Sequence, residues 1–230
     1  MFRGLWSELP ANDRNPAPRN PAIFESDLLV LTTDIRMEKG GEIMNSAPPG
    51  PVLAEESGGG GPIEAVWWAE SHKTQWRLRG TAWLLGPDID GDGEGPRAVR
   101  EALCWRMRKT KDNKSGTAEQ EWSWSREVTG HFGNLSPAMR GTFRSPPPGQ
   151  PIGLPIAPGL GLGQAVEDLD DQVARKNFRV VVIAPDEVDQ VDLSDQKRPR
   201  RWLYSLRGAA HKSTQSGDQI VGWESTEVWP

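Results

Sequence analysis

The stretch "IEAVWWAESHKTQWRLRGTAWLLG", Ile63 to Gly86, limits most sharply what this chain can become. Val66 and Trp68 alternate with Ala65 and Trp67; Trp76 and Leu78 alternate with Gln75, Arg77 and Arg79. A period of two belongs to strands, because successive side chains point to opposite faces of a pleated sheet. The pattern predicts strands over Ile63–Ala69 and Thr74–Leu85 around a polar turn at Glu70–Lys73. One polar row then faces solvent or a ligand, and Trp68 is expected in the core. With 25 Gly, 20 Pro and 36% hydrophobic residues, the rest of the chain fits a loop-rich β or α+β protein, not a helix bundle.

Further strands are expected at Asp27–Thr33, Phe178–Ile183, Val188–Leu193 after a turn at Pro185, "RWLYSLRG" and "IVGWESTEVWP". Helical spacing of Val99, Leu103 and Met107 predicts a helix over Ala98–Lys109. Others are expected within Ser123–Phe132 and Val166–Lys176, the last with its acidic residues early. The Pro/Asn segment over residues 1–20 cannot hold regular structure for long. Two Gly/Pro-rich stretches, 42–62 and 145–165, read as flexible loops. The fold class is mainly β, a β-barrel with a few helices, in one domain over 1–230.

The net charge is -5 and the pI near 5.4, which excludes a general nucleic-acid or anionic-membrane binder. No apolar run reaches spanning length, and "MFRGLWSELP" lacks a signal-peptide core. The single cysteine, Cys104, fits a reducing compartment, so a cytoplasmic location is expected. It sits on a predicted helix and reads as a buried apolar thiol, not a nucleophile.

Metal chemistry finds little support. Asp88, Asp90, Asp92 and Gly93 match the opening of a calcium loop, but Gly95 and Val99 stand where an aliphatic and a bidentate Glu belong. An acidic surface loop is the better account. His72, His131 and His211 stand beside no second metal-type residue. "KRPRR", Lys197 to Arg201, reads as a solvated turn whose position before "WLYSL" lets one arginine enter a site.

The remaining candidate is "LLVLTTDIRMEKGGE", Leu28 to Glu42. Thr32 and Thr33 offer hydroxyls, Arg36 and Lys39 offer cations, and Gln75 and Arg77 lie on the polar row of the hairpin. Such a set suits a phosphorylated ligand. With no base, nucleophile or metal beside it, any redox chemistry would have to come from a cofactor.

Five segments in order, "LTTDIRMEK", "EAVWWAESHKTQWRLRG", "LSPAMRGTFRSPPPGQP", "NFRVVVIAPDEVDQVDL" and "RRWLYSL", resemble the pyridoxamine 5'-phosphate oxidase-like FMN-binding proteins. The likeness is to the Alr4036-type, fungal branch, and spans Phe2 to Pro230. It implies an FMN-binding split β-barrel and a homodimer with FMN at each end of the dimer interface. By the same resemblance Thr32 and Thr33 lie near the flavin and its ribityl chain, Lys39 meets the FMN phosphate, Gln75 meets the flavin side, and Arg201 lies near the ring. A cation there suits the negative charge of reduced flavin.

This chain departs from the family at several points. Glu38 stands where the oxidases carry an arginine, which passes part of the phosphate role to Arg36. "RPR", Arg198 to Arg200, replaces the Arg-Leu-His that binds the vitamin substrate, and the tryptophan expected near Asp192 and Leu193 is absent. Relatives have a further N-terminal helix and strand, of which "MFRG" looks like the tail. The resemblance thus implies flavin binding more than pyridoxamine oxidation. Three functions follow from it: an FMN-dependent oxidoreductase of unnamed substrate, a non-catalytic flavin-binding protein, and an FMN-free split-barrel scaffold.

Overall fold

The computed structural model describes residues 2–47, 56–110, 122–207 and 222–230. Its strands are β1 (Phe2–Leu5), β2 (Phe24–Glu25), β3 (Leu29–Asp34), β4 (Gly58–Ala69), β5 (Thr74–Leu85), β6 (Arg108–Lys109), β7 (Phe178–Asp192), β8 (Arg200–Arg207) and β9 (Gly222–Val228). The helices are α1 (Glu38–Asn45), α2 (Glu94–Cys104), α3 (Trp124–Gly133), α4 (Pro137–Gly141) and α5 (Gln172–Asn177). The main sheet runs β1-β3-β7-β5-β4, with β8 added to β7 and β9 to β8; β2 and β6 form a separate antiparallel pair. The mainly β class with a few helices is therefore as expected.

The chain forms two compact units, Met1–Gly61 with Ala82–Val182, and Pro62–Thr81 with Ile183–Pro230. In the first, the opening half of β7 is buried throughout, from Phe178 to Val182. That explains the apolar run from Val180 to Ala184, since a strand covered on both faces has no polar row to keep. Phe132, Phe143 and Phe178 meet with ring centroids 5.1–6.3 Å apart. Leu28, Val30, Leu84, Leu85, Val99, Leu103 and Val128 are fully buried around the same core. Each such side chain stabilises the fold by about 1.5–3 kcal/mol relative to exposure. Arg106, also fully buried, holds Asp27 by two contacts of 2.8 and 2.9 Å and so pins the approach to β3.

In the second unit the buried residues among those described are Thr74, Leu78, Ile183, Ala184 and Pro185. Gly80 permits a close backbone approach there: a Cβ on it would lie 2.0 Å from the Ala184 carbonyl oxygen. The unit leaves Val66, Trp67, Trp68 and Leu203 39–53% exposed. Trp68 is thus not a core residue as expected; its indole donates to Glu70 at the surface. The hairpin pairs as its alternation predicts, but alternation does not say that either face is covered.

Several boundaries also move. Pro185 makes no turn: β7 continues through it as one strand to Asp192, and pairing with β8 begins beyond it, between Glu187 and Ser205. A missing N–H costs little where it has no ladder bond to make. Part of the 42–62 loop is regular structure, the end of α1 and the start of β4 at Gly58; 48–55 lies outside the described residues. Two glycines in α1, Gly40 and Gly41, hide it from propensity. The 145–165 stretch has neither helix nor strand, yet it is anchored: Gly161 donates to the Arg144 carbonyl at 3.0 Å, and just beyond it Val166 donates to that of Pro137 at 2.9 Å. Helix α5 starts at Gln172, later than expected, because the Asp171 carboxylate caps it by accepting from Ala174 N–H.

Candidate functional site

The end of β3 is shaped by Asp34. Its Oδ1 accepts the Arg36 backbone N–H at 2.9 Å, which turns the chain out of the strand and into α1. The same carboxylate takes the Arg36 guanidinium, at 2.9 Å from Nε and 2.6 Å from Nη2. Arg36 also donates to the Ser145 carbonyl at 2.9 Å and that of Phe143 at 3.3 Å. Four of the five guanidinium N–H groups are engaged in this way, so Arg36 ties β3 to the 142–145 segment.

Thr32 and Thr33 differ, as neighbours on a strand must. Thr33 is buried and its hydroxyl donates to the Asp34 carbonyl at 3.3 Å. Thr32 is half-buried and accepts Arg3 Nε at 3.3 Å. Arg3 reaches it because β1 runs antiparallel to β3, with Phe2 opposite Leu31. Lys39 is exposed in the first turn of α1 and makes no hydrogen bond or ion pair among the described residues. No side chain caps that helix at Met37. The Gly40 N–H donates to the Met37 carbonyl at 2.9 Å, which leaves the N–H groups of Glu38 and Lys39 and the Lys39 ammonium to face an anion beside the Glu38 carboxylate. Arg3 is the cation that sequence reasoning missed; only the antiparallel register of a four-residue strand could have pointed to it.

Gln75 and Arg201 lie in the second unit. Gln75 is half-buried on β5. Arg201, on β8, is held by Asp189 of β7 through two bonds of 2.8 and 2.9 Å, and that pairing raises the guanidinium pKa further. It lines a cavity of about 270 Å³ with Arg77, Arg79, Glu187, Asp189 and Tyr204. Gln75 is not among the residues lining it. Arg77 and Arg79 both pair with Glu64, at 3.1 and 3.3 Å. Within "KRPRR", Arg200 pairs with Glu227 at 2.8 Å and covers the Trp202 ring.

Other candidates resolve locally. Asp88 accepts Ser57 N and Oγ, both at 2.8 Å, and Asp90 accepts from Ser123 and Ser125. No group of three or more metal-type side chains occurs among the described residues. His131 does have an acidic neighbour, contrary to expectation: Glu127 approaches its Nε2 to 3.8 Å, one helical turn away. Cys104 is exposed at the end of α2 and not buried, because the helix stops there and turns its last side chain outward. His211 lies outside the described residues.

The fold and site thus define a mainly β protein with hydroxyls and cations gathered at one strand end. Comparison with known proteins narrows the class. Residues 1–86 match the family model of the pyridoxamine 5'-phosphate oxidase, FMN-binding domain, the same family that the motifs resemble. An uncharacterized protein of Saccharomyces cerevisiae is 26% identical over 112 residues, 48% of this chain and 35% of its own length. The chain thus spans about a third of that curated relative. A solved pyridoxamine 5'-phosphate oxidase-related, FMN binding protein of Nostoc punctiforme shares the fold with a TM-score of 0.53 and 19% identity. The match covers 90% of this chain and 78% of that one. No helix among the described residues is long and apolar enough to cross a membrane.

Proposed function

We propose that this chain binds FMN and works as an FMN-dependent oxidoreductase related to the pyridoxamine 5'-phosphate oxidases. The observation that carries the proposal is the open N-terminus of α1. There Lys39, with no partner among the described residues, stands just past the Thr32–Thr33 end of β3. A phosphate needs such donors, and a helix start supplies both N–H groups and a favourable dipole. Lys39, Thr32 and Arg3 are the residues that would hold the phosphate end. Arg36 would contribute by shaping the turn, since Asp34 already neutralises it. Gln75 and Arg201 are proposed for the flavin ring, where Arg201 would oppose negative charge and Asp189 would orient it. When bound, FMN would supply the hydride-accepting chemistry.

The proposal includes a homodimer. The exposed Val66 and Trp68 share one face of β4 and are apolar side chains of the kind that a partner chain covers. A non-catalytic flavin-binding role is the second reading, favoured by "RPR" at Arg198–Arg200 in place of the substrate motif.

An absorption spectrum and an FMN titration of the purified chain test the binding. Lys39→Ala is expected to weaken FMN about tenfold to a hundredfold, the worth of one charge-assisted bond to phosphate. A colourless protein that FMN does not stabilise sinks the proposal. Bound flavin that no amine or nicotinamide donor reduces would leave the non-catalytic reading.

A further inference from the structure

Met37 stands at the junction of β3 and α1, between the two features that carry the proposed phosphate site. It is the N-cap residue of α1, in extended conformation at φ -76° and ψ 149°, and its side chain caps none of the helix N–H groups. The side chain instead returns to β3, where the hydroxyl of the buried Thr33 lies 3.8 Å from its sulfur. The residue is nonetheless 38% exposed, within reach of small solutes. Among the described residues Met139 of α4 is the other exposed methionine, while Met44 and Met107 are half-buried.

A thioether is a weak acceptor, so a methionine at this position leaves the helix start open to an anion. Oxidation reverses that property. When the sulfur lone pair attacks hydrogen peroxide, the O–O bond breaks. One oxygen joins the sulfur as a sulfoxide, and the other leaves as water with both protons. The sulfur gives up two electrons and the peroxide takes them. A flavoenzyme that passes its electrons to oxygen releases this oxidant beside its own cofactor site. The sulfoxide puts a strong acceptor at the N-cap, from which Ser, Asp and Asn side chains ordinarily take the leading N–H groups of a helix. The N–H groups of Glu38 and Lys39 and the Lys39 ammonium then have an acceptor that competes with phosphate.

We propose that Met37 is a site of reversible oxidation by hydrogen peroxide, and that its sulfoxide weakens the hold of this site on the FMN phosphate. The inference rests on the FMN reading above and adds a regulation to it.

The test is FMN titration of the full chain before and after hydrogen peroxide treatment, in wild type and Met37→Leu, with peptide mass spectrometry locating each added oxygen. The two untreated proteins are expected to bind FMN alike. In treated wild type, Met37 gains one oxygen and the affinity falls by at least about fivefold, the worth of roughly one hydrogen bond. Methionine sulfoxide reductases specific for the two epimers restore it. Met37→Leu retains Cys104 and Met139, both exposed, and should keep its affinity through the same treatment. Met37→Gln puts an amide oxygen at comparable reach and should lower the affinity with no peroxide at all. Wild type oxidised at Met37 that binds FMN unchanged overturns the proposal. So does a Met37 that stays reduced once Met139 is converted, an equal loss in Met37→Leu, or wild-type affinity in Met37→Gln. Untreated wild type that binds no FMN sinks the function proposed above and takes this regulation with it.

Discussion

The buried pair Glu127–His131 should make stability depend on pH in a calculable way. His131 is 2% exposed, stacks on Trp6 at 6.0 Å, and its Nε2 has no hydrogen bond. Burial, and then the charge of Arg3, lower its pKa from 6.5 to about 4. In the unfolded chain the imidazole takes a proton near 6.5, so between that value and 4 the unfolded state binds more protons. Stability is therefore fully present above 6.5 and falls as pH drops through the window. The whole shift is worth about 3.4 kcal/mol at 1.36 kcal/mol per unit, and about 2 kcal/mol of it is gone by pH 5. Glu127 opposes this. Burial raises its pKa despite the Asn20 amide, Arg19 and the Ser7 N–H, so its contribution is lost as pH rises above 4.5. Urea unfolding between pH 7.5 and 5 separates the two. His131→Phe should flatten the acid-side loss by about 2 kcal/mol, and Glu127→Gln should steepen it. If His131→Phe keeps the wild-type slope, the imidazole is not buried and neutral, and the reasoning fails.

Ser57→Ala removes a fully buried hydroxyl that bridges Asp88 Oδ1 and Gly86 N–H, each at 2.8 Å; a loss of about 2–4 kcal/mol is expected by chemical denaturation, and under 1 would mean water replaces it. Arg36→Gln strips the buried Asp34 of its guanidinium and should cost about 2–4 kcal/mol of stability, with a smaller effect on FMN affinity than Lys39→Ala. Glu38→Gln removes the negative charge beside the α1 N-terminus and should tighten FMN roughly twofold to fivefold at low salt, fading as salt screens it; unchanged affinity would place the phosphate elsewhere.

Local chemistry made much of this chain readable. The hairpin alternation located β4 and β5 through Ala69 and Leu85, because that signal acts between residues close in sequence, and the helix expected within Ser123–Phe132 is α3. Lys39 was singled out by its surroundings in "LTTDIRMEK", and the family likeness rested on the order of such segments. What the residue order could not convey was which donors are already taken. Arg36 looks like a phosphate ligand until Asp34 and two carbonyls from 107 and 109 residues away are seen to hold it. Arg3 enters only through the β1–β3 register, and Trp68 leaves the core because sheet pairing does not say whether another layer covers the sheet. Strand period, caps and breakers are written in neighbouring residues. Occupancy of a guanidinium and burial of an indole depend on contacts across the chain, which only folding brings about.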